Sequence, residues 1–113
     1  MSKRDDVEFL ADIKEAIRRI NFYTKHLDFA AFLDDLKTQD AVVRNLEVIG
    51  EATKNLSEQV RLNNPQIPWK SLAGVRDKLV HHYFGVSFSI VWNIIKQELP
   101  SLLDQLDNLN LSS

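Results

Sequence analysis

The segment Val75–Val86, VRDKLVHHYFGV, holds an arginine, an aspartate, a lysine, two adjacent histidines and a tyrosine. The only other histidine in the chain is His26. An arginine presents a planar fork that matches a phosphate, and a histidine titrates near neutral pH. Arg76 and His81 together suit phosphodiester cleavage without a metal. A base takes the proton from a ribose 2′-hydroxyl while the guanidinium stabilises charge on a phosphorane-like transition state. On a helix, Asp77 and His81 share a face one turn apart, so Asp77 can fix the imidazole tautomer and raise its pKa. Arg76 and Tyr83, seven residues apart, share a different face. Arg76 and His81 stand about 140° apart on one regular helix. Fraying at Gly85, or a second copy of the helix across a symmetric interface, would bring them onto one substrate. A plainer reading competes, because the helix macrodipole alone favours histidines in a C-terminal turn.

Other chemistries find less support. The chain has no cysteine, which excludes a disulfide framework, a thiolate metal site and a thiol nucleophile. His81 and His82 are adjacent and face different ways, so they do not form a metal-binding pair, and the expectation is no metal and no cofactor. There is no glycine-rich phosphate loop and no G-x-S-x-G elbow. With 14 basic and 16 acidic residues the net charge is −2, so any contact with nucleic acid must come from a local basic patch or a dimer groove. The first residues, MSKRDDVEFLADIKEAIRR, are charged throughout and lack the apolar run of a signal peptide. No apolar stretch approaches the length of a membrane span. The expectation is a single soluble, cytoplasmic domain over residues 1–113 with no membrane partner.

The elements that must position these residues read as helices throughout. From about Asp5 to Lys25, Leu10, Ile13, Ile17 and Ile20 recur on one face. LDFAAFLDDL follows as a short helix or turn capping the core. From about Thr38 to Leu62, Val42, Leu46, Ile49, Thr53, Leu56 and Val60 form a second stripe. Gly50 lies within it at a cost of about 1 kcal/mol relative to alanine, which a close helix–helix contact would explain. Arg44, Glu47 and Glu51, at i, i+3 and i+7, form a polar strip on another face. Such a strip is most often solvated, but it is also a candidate for lining a cleft.

Pro65 and Pro68 in NNPQIPW then break the helix. The reactive segment sits on the next helix, about Trp69 to Tyr83, with Gly85 placed to end it. Ser87 reads as an N-cap for a closing helix carrying Ile90, Val91, Ile94, Ile95 and Leu99. Pro100 either begins a further helix or kinks this one, and Leu102, Leu103, Leu106 and Leu109 continue the stripe. Trp69 and Trp92 are read as core or dimer anchors rather than base-stacking platforms. No stretch alternates as a strand does. The expected fold is all-α, an up-and-down bundle of four main helices plus shorter pieces.

Three stretches resemble the HepT-like branch of the HEPN superfamily. RNLEVIGEATKNLSEQVR is similar to that family's long second-helix signature. NPQIPWKSLAGVRDKLVHHYFGV resembles its proline–tryptophan turn followed by an R-x4-6-H motif, and VWNIIKQELPSLLDQL resembles its closing helix. With the N-terminal helix, the resemblance spans nearly the whole chain. It places the motif arginine at Arg76, the histidine at His81 and the tyrosine of an R-x4-H-x-Y form at Tyr83. His82 also satisfies the spacing, but the H-x-Y match favours His81. The position after the arginine is commonly asparagine in the superfamily and is Asp77 here, an added negative charge beside a phosphate site. Arg44, Glu47 and Glu51 match polar positions of the second-helix signature.

The resemblance implies a homodimer whose two motifs face a shared cleft and cleave RNA without a metal. It also implies a toxin–antitoxin pairing with a minimal nucleotidyltransferase of the MntA type, which transfers AMP to Tyr83. A phosphate-bearing group beside Arg76 would occupy the anion site and block substrate. The alternative is a non-catalytic helical adaptor that binds a nucleotidyltransferase. A third reading, an RNA-binding domain without cleavage, sits poorly with the mild acidity.

Overall fold

A computed structural model describes residues 5–81 and 88–109, with the backbone alone over 76–81. The first helix, α1 (Asp6–Thr24), starts where the Asp5 carboxylate accepts the Glu8 N–H at 3.0 Å. Asp6 and Glu8 in its first turn suit the positive end of the helix dipole. Its stripe is buried as the periodicity predicts, with Leu10, Ile13, Ile17 and Ile20 all in the core. The short α2 (Phe29–Asp34) is capped by Asp28 and inserts Phe32, which is fully buried, against Phe88 and Trp92.

The next helix, α3 (Leu36–Lys54), is the centre of the bundle and packs against both α1 and α5 (Trp69–His81). Gly50 is buried on the packing face it shares with Val42, Leu46, Ile49 and Thr53. The sequence pattern predicts one helix from Thr38 to Leu62, and here the structure differs. Asn55–Ser57 interrupt it, and α4 (Glu58–Asn63) starts afresh. The cause lies outside the segment. The Asp6 carboxylate accepts both the Ser57 backbone N–H at 2.8 Å and the Ser57 hydroxyl at 2.6 Å. That hydroxyl also accepts the Val60 N–H at 3.3 Å, so Ser57 is an N-cap. Leu56 and Val60 are nevertheless buried, because the break keeps them on the core side. Since Ser57 follows α3 and Asp6 opens α1, the two long helices run antiparallel.

The proline turn is organised by Asn64, which is buried and donates to Val60 O at 3.0 Å. Its own carbonyl accepts the Trp69 indole N–H at 2.9 Å, which fixes the start of α5 and confirms Trp69 as a core residue. The positions of Gly85 and Ser87, expected to end α5 and cap the next helix, lie outside the described residues.

The closing helix runs as α6 (Phe88–Asn93), a single π turn over Ile94–Glu98, and α7 (Leu99–Asp107). Pro100 stands in the first turn of α7, so it opens a further helical element, one of the two expectations for it. It has no N–H to give and its ring would crowd the carbonyl four residues back, so the chain widens and Leu99 N–H bonds to Ile94 O instead. Val91, Ile95, Leu99, Leu102 and Leu106 are buried, whereas Ile90 is 61% exposed, contrary to its place in the predicted stripe. Lys96, on the π turn, donates to Thr24 O at 3.2 Å and lies over the Trp92 ring, tying this element to the negative end of α1. Lys14 and Arg18 meet Asp107 at 3.5 and 3.8 Å at the far end. The result is an all-α bundle, with no strand among the described residues and no helix long and apolar enough to cross a membrane.

Candidate functional site

The reactive segment begins on α5, whose backbone is helical without a break through His81. Trp69, Leu72 and Val75 are its buried residues and mark its bundle side. Position 76 follows Leu72 by four and Trp69 by seven, so it falls on that side by register. Position 81 falls about 140° away, with Lys70, Gly74 and Lys78 on the opposite side. Asp77 shares that outer side with position 81, as the i, i+4 spacing requires. The end of α5 therefore does not fray before His81, and one regular helix holds the arginine and the histidine apart. His82 and Tyr83 lie outside the described residues, as do any contacts of the Arg76, Asp77 and His81 side chains.

The second group of candidates is brought together. Arg44, Glu47 and Glu51 line one surface groove of about 340 Å³ between α1 and α3. Arg44 and Glu51 are exposed and Glu47 is half-buried, and none of these side chains forms an ion pair or hydrogen bond among the described residues. Phe9 and Asp12 form the opposite wall, and Val48, Ala52 and Asn55 complete it. Sequence reasoning missed Phe9, Asp12 and Asn55. The signal for the first two was weak: they are three apart on α1 and both lie off its apolar stripe. The groove offers one guanidinium and three carboxylates around a half-buried phenyl ring, so its balance is acidic rather than phosphate-binding. Among the described residues no group of three or more His, Asp or Glu side chains is arranged to hold a metal ion.

Residues 13–109 match the family described as Ribonuclease HepT-like, a span that contains α5 and both candidate groups. The chain belongs to the HepT-like ribonuclease family. This HepT-like chain is 46% identical over 109 residues to a protein of Methanocaldococcus jannaschii named "Putative RNase MJ0127", covering 96% of this chain and 90% of that protein. It is 45% identical over 107 residues to the "Probable ribonuclease HepT" of Thermococcus cleftensis, covering 95% and 97%. No solved structure matches the HepT-like chain. The all-α fold agrees with the resemblance read from the three sequence stretches.

Proposed function

We propose that this HepT-like chain is a metal-independent endoribonuclease acting through Arg76 and His81. His81 takes the proton from a ribose 2′-hydroxyl, whose oxygen attacks the adjacent phosphorus. Arg76 stabilises the charge that gathers on the phosphoryl oxygens, and the 5′-oxygen leaves as the P–O5′ bond breaks, taking its proton from solvent water. The products are a 2′,3′-cyclic phosphate and a 5′-hydroxyl. Asp77, one turn before position 81, orients the imidazole. The observation that carries this reading is the family match across residues 13–109, because it spans the R-x4-H segment in its setting between the proline turn and the closing helix.

The register of α5 supports a homodimer as the active unit, since a second copy supplies the arginine that one helix holds away from its own histidine. In this reading Arg44, Glu47 and Glu51 flank the cleft and do no chemistry. Control falls to Tyr83: a minimal nucleotidyltransferase of the MntA type, acting as antitoxin in the cytoplasm, transfers AMP to its hydroxyl. The new phosphate then occupies the anion site of Arg76.

The test is cleavage of RNA in excess chelator, with the product ends identified. The expected result is a cyclic phosphate product from the wild type and from His82→Ala, with none from His81→Ala. Equal cleavage by wild type and His81→Ala would remove the reading. A chain that forms a stable complex with a nucleotidyltransferase but cleaves nothing would establish the adaptor instead.

A further inference from the structure

The outer surface that α1 and α3 share carries its charges in a definite order. The bond from Asp6 to Ser57 sets the level of these two antiparallel helices. Both rise about 1.5 Å per residue, so Glu15 and Ala16 of α1 lie level with Glu47 and Val48 of α3. The groove agrees, because Asp12 and Glu51 line it together, as do Phe9 and Asn55. That level is a midpoint for both helices. On α1, Asp12 and Arg19 lie equally far to either side of it, seven residues apart and so on one line. On α3, Glu51 and Arg44 do the same, also seven apart. Both acids lie toward one end of the surface and both arginines toward the other.

A half-turn about an axis lying in this surface, crossing both helices at their midpoint, exchanges the two ends. It stacks α1 on α1 and α3 on α3 of a second copy, antiparallel. Arg44 then comes opposite the partner's Glu51, and Asp12 opposite the partner's Arg19, each pair formed twice. A shared midpoint of opposite charges on two helices serves a partner of the same sequence and no other. Around these pairs, Glu8 comes to the level of Tyr23, Asp40 to that of Asn55 and Lys54 to that of Ala41, so no like charges meet there. Glu15 and Glu47 are the exceptions, since each lies beside the axis and faces its own copy. Glu15 is held by Arg19 of its own chain at 3.1 Å, which leaves Glu47 as the unfavourable contact. Phe9 and Val48, half-buried on the same surface, supply apolar area.

We infer that a second copy of this chain covers the α1/α3 surface, in the register that Arg44 and Glu51 set by pairing across the two-fold axis. These two exposed residues carry the register, because Asp12 and Arg19 also have partners within their own chain. Charge pairs at such a surface select the partner and its orientation more than they add affinity. α5 packs along α3 rather than α1, so stacking α3 on α3 leaves both copies of α5 on one flank of the dimer. Two motifs facing a shared cleft require that arrangement. The inference rests on the homodimer reading and adds where the copies meet.

The experiment measures mass by light scattering across a concentration series, which gives the dimer Kd without any cleavage assay. Arg44→Glu and Glu51→Arg, both at exposed positions and expected to melt near wild type, should each weaken the dimer about tenfold or more. Each breaks two pairs and sets like charges together. The double variant Arg44→Glu/Glu51→Arg re-forms both pairs with the signs exchanged and should return the Kd to within about threefold of wild type. An equal mixture of the two single variants should form a mixed dimer, since each chain supplies the charge that the other lacks. Glu47→Gln should tighten the dimer by relieving the contact at the axis, and a looser dimer would overturn the position of that axis. Wild-type Kd values in both single variants, or a double variant as weak as the singles, would overturn the inference and leave the homodimer reading in place. A wild type that stays monomeric would overturn both, while the cleavage test of His81→Ala decides the nuclease reading separately.

Discussion

Asp35 shows how a single carboxylate holds two elements in place. It accepts the Thr38 N–H at 3.0 Å and the Thr38 hydroxyl at 2.7 Å, capping α3 just where α2 ends. The backbone bond and then the hydroxyl hold its carboxyl below the usual range; desolvation opposes them, and nearby Lys37 adds the least. A carboxyl whose folded pKa is depressed adds stability above its unfolded value, roughly pH 4, and loses it as pH falls through the lower folded value. Asp35→Asn keeps an acceptor for the Thr38 N–H but removes this titration. Urea midpoints measured from pH 6 downward should show a constant gap between wild type and variant above about pH 4, narrowing below it. A gap that persists unchanged to about pH 2 would mean the cap contributes nothing through its charge. The buried Gln39 works beside it, donating to Phe32 O at 2.9 Å and Leu33 O at 3.0 Å. Nothing in local sequence marks Gln39 as a core residue; only the return of α3 beneath the end of α2 gives its amide two carbonyls to satisfy.

At the scale of elements, hydrophobic spacing located α1, α3 and the closing stretch, because burial of one face is what most stabilises each of them, whereas α5 was placed by the proline turn before it. It failed where a contact distant in sequence decides. The stripe from Val42 to Val60 is continuous as a pattern, yet Asp6, about fifty residues away, captures Ser57 and breaks the helix. The π turn is a different case. Val91, Ile95 and Leu99 are spaced by fours, which drifts about 40° per step on an α-helix; a wider turn absorbs the drift and also accommodates Pro100. Deleting the exposed Gln97 together with Pro100→Ala should convert this stretch to an unbroken α-helix without rotating α7 out of the core. Cooperative unfolding should survive, with a Tm within roughly 5 °C of wild type, a shift worth about 1 kcal/mol. Deleting the exposed Arg18 from α1 rotates everything beyond it by about 100° and should abolish cooperative unfolding. Equal damage from the two deletions would show that the π turn is not a removable insertion.

For the whole molecule, the candidate site was legible as a motif but not as an assembly. VRDKLVHHYFGV named Arg76 and His81, and the placement of α5 after the proline turn gave them a setting. What a sequence cannot carry is which copy serves which substrate, since that depends on surfaces meeting through a symmetry axis. The unbroken helix through His81 sharpens the question, because it keeps the two positions about 140° apart. If each cleft of the proposed dimer takes its histidine from one copy and its arginine from the other, two inactive variants can complement. A dimer of one Arg76→Ala chain and one His81→Ala chain has one cleft with both functional groups and one with neither. Equal mixing after subunit exchange makes about half of all dimers mixed, so about a quarter of wild-type cleavage should return. If instead both groups come from the same copy, every cleft in the mixture lacks one of them and nothing returns. Cleavage assayed before and after exchange distinguishes these outcomes, and no recovery despite verified exchange would place arginine and histidine on one helix end, bridged by the length of their side chains.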